Sequence, residues 1–281
     1  LQENMTSKNY LLKDKNIWVA GHTGMVGKAL VNKLKKEECK IITISKSKLD
    51  LINQQTTWNW MSKQSIDIIF LAAAKVGGIY ANSTYPAEFI YNNIAMATNI
   101  IKGAHLFKID RLVFLGSSCI YPKFAKQPIE EESLLSGILE HTNEPYAIAK
   151  IAGLKMCQAF NKQYKTDFIS VMPTNLYGTG DNFHSENSHV MASLIRKIIE
   201  AKHKNIKEIE VWGSGTHRRE FLHVEDLADA LIFLSKNYFG LDPINIGSGK
   251  DISIIELATL ISKLAKWPVK IKLDHNKPDG T

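Results

Sequence analysis

A doubly wound α/β fold on a parallel sheet, followed by a smaller C-terminal region, is predicted by three features of the sequence. Apolar runs of strand length alternate with amphipathic runs of helix length through the first 175 residues. A glycine turn, Gly21-His-Thr-Gly-Met-Val-Gly27, joins the first strand directly to the first helix. After Tyr177 the rhythm breaks into a Gly-, Asn- and His-rich loop over 178–189.

The elements follow in order. Ile-Trp-Val-Ala over 17–20 is a β-branched and aromatic run too short for a helix, and the helical period begins behind it over 25–37. A second strand is expected over 41–45, a helix over 54–64, a third strand over 66–73 and a long helix over 87–107. The fourth strand is expected over 112–118, and Asn143-Glu144-Pro145 opens a helix over 145–164 with proline in its first turn. The fifth strand occupies 168–173. Such units pack as right-handed βαβ crossovers. Beyond the loop come a helix to about 203, a short strand over 208–212 and an apolar run over 221–235. The expected division is a nucleotide-binding domain over 1–175, with 221–248 returning to it, and a ligand-capping region over 176–220 and 249–281.

Composition narrows the function. With 44% hydrophobic and 22% charged residues among 281, the chain is neither disordered nor fibrous. No apolar run approaches the ~18 residues that span a bilayer, and the polar, lysine-bearing stretch over 1–16 lacks a secretory pattern. A cytoplasmic protein off the membrane is therefore expected. Cys39, Cys119 and Cys157 are too few and too scattered for a disulfide framework or a zinc site, so no metal is expected. The net charge of +7 rests on 35 basic residues, of which only Arg111, Arg196, Arg218 and Arg219 are arginine. Lysines dispersed among acids are not a nucleic-acid footprint, and they favour small anions.

The glycine turn lets backbone approach a pyrophosphate at a helix N-terminus, the Rossmann-type arrangement, although its spacing is GxxGxxG rather than GxGxxG. The end of the second strand reads Ser45-Lys46-Ser47-Lys48, without the carboxylate that holds an NAD ribose. Lys46 there suits the 2′-phosphate of NADP, and Asp50 falls near the adenine. Tyr146-Ala-Ile-Ala-Lys150 places a phenol and an ammonium on one helix face. The ammonium is expected to draw the phenol's pKa down from about 10 toward neutrality, making it a general acid. If strand alternation persists, Ser117 and Cys119 project together into the same crevice. Plain structural alternatives stand beside each motif: packing glycines, a surface YxxxK, a strand-capping serine, a core cysteine.

Longer strings go further: Ala72-Ala-Ala-Lys-Val-Gly-Gly78, Gly116 to Lys123, Thr142 to Gly153, Met172 to Gly178, Asp181-Asn-Phe-His184 and Asn187-Ser-His189. In these the chain resembles the extended short-chain dehydrogenase/reductases, and within them the branch that epimerises and reduces a GDP-linked 4-keto-6-deoxy sugar. The resemblance implies NADP(H) as cofactor and GDP-4-keto-6-deoxy-D-mannose as substrate, with proton exchange inverting both carbons beside the ketone before hydride reduces it to GDP-L-fucose. That order follows from chemistry, since protons beside a carbonyl are acidic only while the ketone is intact. By the same resemblance Tyr146 is the proton donor in reduction, Lys150 its tuner and a nicotinamide-ribose ligand, and Ser117 the carbonyl partner. Cys119 and His189 are the base and acid of epimerisation.

Implied cofactor contacts are Gly21, Thr23, Gly24, Met25, Val26 and Gly27 in the turn, then Leu115, Gly116, Ser118, Pro173, Asn175, Leu176 and His189. Implied substrate contacts are Lys197, Trp212, Arg219 and Asp279, whose types suit a base and a diphosphate. Thr23 stands where many members carry arginine, which leaves Lys46 to meet the 2′-phosphate. Members continue past Lys277-Pro-Asp-Gly-Thr281 with a basic segment and helices, so part of the cap is expected beyond this sequence. Residues before about Lys13 read as an extension without assigned function. A homodimer through the helices over 87–107 and 145–164 is implied. Two alternatives remain: the same chemistry on another GDP-4-keto-6-deoxy sugar, such as a GDP-6-deoxy-heptose, and a non-catalytic NADP-binding redox sensor.

Overall fold

A computed structural model of the chain describes residues 9–185 and 187–277. In chain order its elements are β1 (Asn16–Ala20), α1 (Met25–Leu34), β2 (Lys40–Ile42), α2 (Gln54–Met61), β3 (Ile68–Leu71), α3 (Ile79–Thr84), α4 (Pro86–Leu106), β4 (Arg111–Leu115), α5 (Glu144–Tyr164), β5 (Asp167–Pro173) and β6 (Asn175–Tyr177). There follow α6 (Val190–His203), β7 (Glu208–Trp212), β8 (Arg218–His223), α7 (Val224–Asn237), β9 (Ile244–Ile246), β10 (Asp251–Ser253), α8 (Ile254–Leu264) and β11 (Lys270–Asp274).

Six strands form a parallel sheet in the order β2-β1-β3-β4-β5-β9. The order reverses between β1 and β3, the switch point at which such sheets bind ligands beyond their carboxyl ends. Period-two alternation splits each strand between two cores. Ile17, Val19, Ile68, Phe70, Val113 and Val171 face α1 and α7, while Trp18, Ile69, Leu71, Leu112, Phe114 and Phe168 face α4 and α5. Each such side chain, fully buried, contributes about 1.5–3 kcal/mol. A three-stranded sheet, β10-β8-β6, and a parallel pair, β11-β7, carry the rest, with a third core where α6 and α8 cover β7.

Several expected boundaries move. The strand expected over 112–118 stops at Leu115, and residues 118–120 form a 3-10 turn whose first backbone groups the Ser117 side chain caps at 3.4 Å. The third strand is 68–71 rather than 66–73, and α3, the six residues Ile-Tyr-Ala-Asn-Ser-Thr, is too short to show a helical period and was not anticipated. Of the stretch before Lys13, the described residues 9–12 are part of the fold: Leu12 is buried, and the Tyr10 N–H donates to the Lys236 carbonyl at 2.8 Å.

At the amino end of the large sheet, Arg111 is wholly buried. Its guanidinium donates to Asp167 through Nε at 2.8 Å and through Nη2, and to the Ser235 carbonyl through Nη1. The rings of Tyr10 and Phe239 close on it at 4.8 and 4.4 Å. Among the described residues no helix is long and apolar enough to cross a membrane.

Candidate active site

The glycine turn crosses β3 closely. Gly21 holds φ +91°, and a Cβ there would meet the Ala73 nitrogen at 2.6 Å; at Gly27 a Cβ would collide with the Gly21 carbonyl. Helix α1 then starts at Met25 with Gly24 as a cap that offers no side-chain hydrogen bond, and its first turn holds no acid. Those orphan N–H groups and the helix dipole suit an anion. His22 adds a buried Nδ1 with no hydrogen-bond partner. A cradle with these donors fits a dinucleotide pyrophosphate; Thr23 is exposed in the turn, whereas Met25 and Val26 pack against the first core.

At the end of β2 the chain turns tightly, with the Ser45 carbonyl accepting from the N–H groups of Lys48 and Leu49. Lys46 and Lys48 are left exposed, and no carboxylate pairs with either among the described residues. Asp50 is engaged locally: its Oδ1 accepts from the Ile52 N–H at 3.1 Å, shaping the turn into α2.

Beyond the carboxyl ends of β4 and β5 the chemical groups converge. Tyr146 lies in the first turns of α5, its ring edge-on to Phe89 at a centroid distance of 6.3 Å. Lys150, one turn on and 5% exposed, sits 5.6 Å from that ring and donates its Nζ–H to the Leu115 carbonyl at 2.7 Å. The Ser117 hydroxyl acts on the Tyr146 phenol and on the Cys119 thiol, and the Lys150 ammonium is felt by that thiol. Ser117 and Cys119 thus reach one crevice, through the 3-10 turn and not through strand alternation.

The electrostatics differ from the sequence expectation at Tyr146. Burial, with the Cys119 thiol adding to it, pushes the phenol above its usual range, opposed by Ser117. The ammonium expected to draw it down instead spends a donor on Leu115, and burial lowers Lys150 to about 8. Burial also pushes the Cys119 thiol up to about 11, against the pull of Ser117 and Lys150. The protein therefore holds a neutral phenol beside a neutral thiol.

His189 caps α6, and Asp181 faces it from the preceding loop. The residue is exposed to solvent, yet the surrounding protein lowers its pKa below 6.5, with the Asp181 carboxylate opposing. Gly116 donates its N–H to Val171 at 2.7 Å, and Pro173 is buried beside it at the end of β5. The Asn175 amide donates to the Glu220 carbonyl at 3.2 Å, which ties β6 to β8, and Leu176 packs on the first core.

Further along, Lys197 donates to the Glu210 carbonyl at 2.8 Å and stands 5.8 Å from the half-exposed Trp212 ring. Burial lowers the Lys197 pKa. Lys277, which sequence reasoning did not single out, approaches the same ring at 5.2 Å. Arg219 stands on β8 and donates to the Arg218 carbonyl at 2.8 Å. Asp279 lies outside the described residues. Phe89 and Asp181 were also missed as neighbours of the reacting groups; Asp181 carried a signal, its place in Asp181-Asn-Phe-His184, whereas Phe89 carried none.

Comparison with known proteins accords with this geometry. The model of the NAD dependent epimerase/dehydratase family matches residues 17–247. A GDP-L-fucose synthase of Sinorhizobium fredii is 54% identical over 272 residues, which is 97% of this chain and 87% of the relative. A GDP-L-fucose synthetase from Naegleria fowleri bound to NADP superposes with a TM-score of 0.89 at 28% identity, covering 98% of this chain and 86% of that one. A GDP-6-OMe-4-keto-L-xylo-heptose reductase from C. jejuni superposes with a TM-score of 0.88 at 32% identity, covering 96% and 89%. The chain belongs to the NAD dependent epimerase/dehydratase family.

Proposed function

We propose that this chain is an NADPH-dependent 3,5-epimerase/4-reductase that converts GDP-4-keto-6-deoxy-D-mannose to GDP-L-fucose. The observation that carries the reading is the convergence of Ser117, Cys119, Tyr146 and Lys150 at the carboxyl edge of the sheet, in a chain 54% identical to a GDP-L-fucose synthase. The sensor alternative gives no role to Ser117, Cys119 or Tyr146. The heptose alternative has a related fold behind it, but at 32% identity against 54%.

The residues divide the chemistry. Cys119 and His189 serve the two carbons beside the ketone with the expected roles exchanged: before substrate binds, Cys119 is a neutral thiol that can give a proton and His189 a neutral imidazole that can take one. Ser117 donates to the ketone oxygen, which stabilises the enolate of each inversion. When bound, the reduced nicotinamide supplies a hydride to the ketone carbon. Tyr146 gives its proton to the resulting alkoxide, and the Lys150 ammonium offsets the phenolate left behind. Pro173, Asn175 and Leu176, with Leu115, Gly116 and Ser118, wall the nicotinamide side. Lys197, Trp212, Arg219 and Asp279 take the GDP.

A pH profile of kcat/KM tests these assignments. Activity is expected to fall on the acid side only below pH 6.5, because the lowered His189 pKa preserves the neutral base, and to fall on the alkaline side near pH 8 as Lys150 loses its charge. His189→Asn removes the acid limb from solvent-proton exchange.

Lys46 carries the preference for NADP. Lys46→Glu is expected to weaken NADPH binding about tenfold and to leave NADH binding unchanged, read by nicotinamide fluorescence titration. Equal losses for both cofactors would remove Lys46 from the site.

The protein is proposed to be cytoplasmic, where a reducing medium keeps Cys119 a thiol, and to form a homodimer through α4 and α5. The exposed Tyr91 and Leu106 on α4 and Ile148 and Tyr164 on α5 support that face. Sedimentation would give twice the chain mass.

A further inference from the structure

Between β3 and α3 lies the loop Lys75–Gly78, in which neither glycine is required by a positive φ. Both are required by proximity. A Cβ at Gly78 would lie 2.6 Å from the Ser188 carbonyl, and one at Gly77 would meet Ala81 Cβ at 2.8 Å and the Phe89 ring at 3.3 Å. The Gly78 N–H donates to the Asn187 carbonyl at 3.2 Å. The loop is thus the bed on which the segment leading to His189 rests.

Two buried asparagines hold that bed. Asn93, 5% exposed in the middle of α4, accepts from the Lys75 N–H at 2.8 Å and donates to the Lys75 carbonyl at 2.9 Å and the Phe89 carbonyl at 2.7 Å. Asn82 on α3, also 5% exposed, donates to the carbonyls of Gly77 at 2.8 Å and Gly78 at 3.1 Å. A buried amide in a helix interior costs desolvation unless its groups are matched. The Asn93 amide matches both backbone groups of one loop residue, which a hydrogen bond along the helix alone would not do. The helix that carries Asn93 also carries Phe89, whose ring meets Tyr146.

We propose that Asn82 and Asn93 are positioning residues for epimerisation: they clamp the Lys75–Gly78 loop, and through its contact with Asn187 and Ser188 they set where His189 stands relative to Cys119. The inference rests on the function proposed above. Reduction depends on Tyr146, which α5 places directly, so loss of the clamp separates the two halves of the reaction. Misplacing a proton-transfer group by about 1 Å costs up to about a hundredfold, whereas the hydride step keeps its own donor and acid.

The test compares Asn93→Ala, Asn82→Ala and Gly78→Ala with the unmodified enzyme. Gly78→Ala disturbs the same contact from the loop side and keeps both asparagines, so it serves if an asparagine variant does not fold. With GDP-4-keto-6-deoxy-D-mannose and NADPH in heavy water, each variant is expected to incorporate deuterium beside the ketone about tenfold or more slowly. The fraction of product reduced without inversion should rise at least as much, with NADPH affinity unchanged within about twofold. A second arm needs no sugar: amide hydrogen exchange of Ser188 and His189 is expected to quicken about tenfold while that of β1 and β4 holds. Equal loss of both half-reactions at an unchanged product ratio, or unchanged exchange at Ser188 and His189, would overturn the clamp. If the unmodified enzyme fails to turn the sugar over, the substrate reading fails, and the exchange arm still decides the clamp.

Discussion

Tyr146→Phe is expected to slow ketone reduction by about 10²–10⁴-fold while leaving the enzyme folded, NADPH-binding and able to exchange protons beside the ketone. The phenylalanine ring keeps the edge contact with Phe89 and the fit beneath Lys150, so only the hydroxyl is lost. Without it the alkoxide formed by hydride addition loses its assigned proton donor, and Ser117, which already serves the ketone oxygen, is a far weaker acid, while the Cys119 thiol is committed to the neighbouring carbons. Cys119 and His189 do not use that phenol, so deuterium from solvent continues to enter the sugar while NADPH is spared. The measurement pairs NADPH absorbance with NMR of the recovered sugar. Reduction within a few-fold of the unmodified rate would show that Tyr146 is not the acid.

The second large effect is on stability. Arg111→Ala is expected to cost about 3–5 kcal/mol in denaturant unfolding, because it removes one partner of a buried pair and leaves the other without its charge. The guanidinium joins β4 to β5 through Asp167 and reaches the Ser235 carbonyl at the end of α7, while Tyr10 and Phe239 stack over it. Burial raises the Asp167 pKa and Arg111 opposes that rise, so removing the arginine also raises the pH at which this carboxyl takes up a proton. Arg111→Met, which keeps much of the packing volume, should recover part of the loss. A change below about 1 kcal/mol in both variants would mean that the cluster is an ornament of the sheet edge.

Local patterns were legible from sequence and tertiary ones were not. The glycine turn and the Tyr146–Lys150 pair depend on spacings of three and four residues along a single element, which backbone geometry translates directly into a face or a cradle. Ser117 and Cys119 were paired for the wrong reason: β4 ends at Leu115, and the 3-10 turn brings the two side chains to the same crevice. The phenol's electrostatics were misjudged because spacing reveals that an ammonium is near, and not that it is buried and donates to the Leu115 carbonyl. His189 was reachable only through the family resemblance, since its place depends on how residues 187 and 188 lie on Gly78, some 110 residues earlier. The strands β8 and β10 were missed for another reason: they are short, partly exposed and without clean alternation. Strand β11 was missed although legible, since Lys270-Ile-Lys-Leu-Asp274 alternates strictly and sends Ile271 and Leu273 to the third core.

The epimerase/reductase reaction is tested most directly by NMR of the enzyme with NADPH and GDP-4-keto-6-deoxy-D-mannose in heavy water. The expected product is GDP-L-fucose carrying deuterium at both carbons that flanked the ketone, with one NADPH consumed for each molecule formed. NADPH bound but not consumed, or a reduced sugar without deuterium at those carbons, would contradict it.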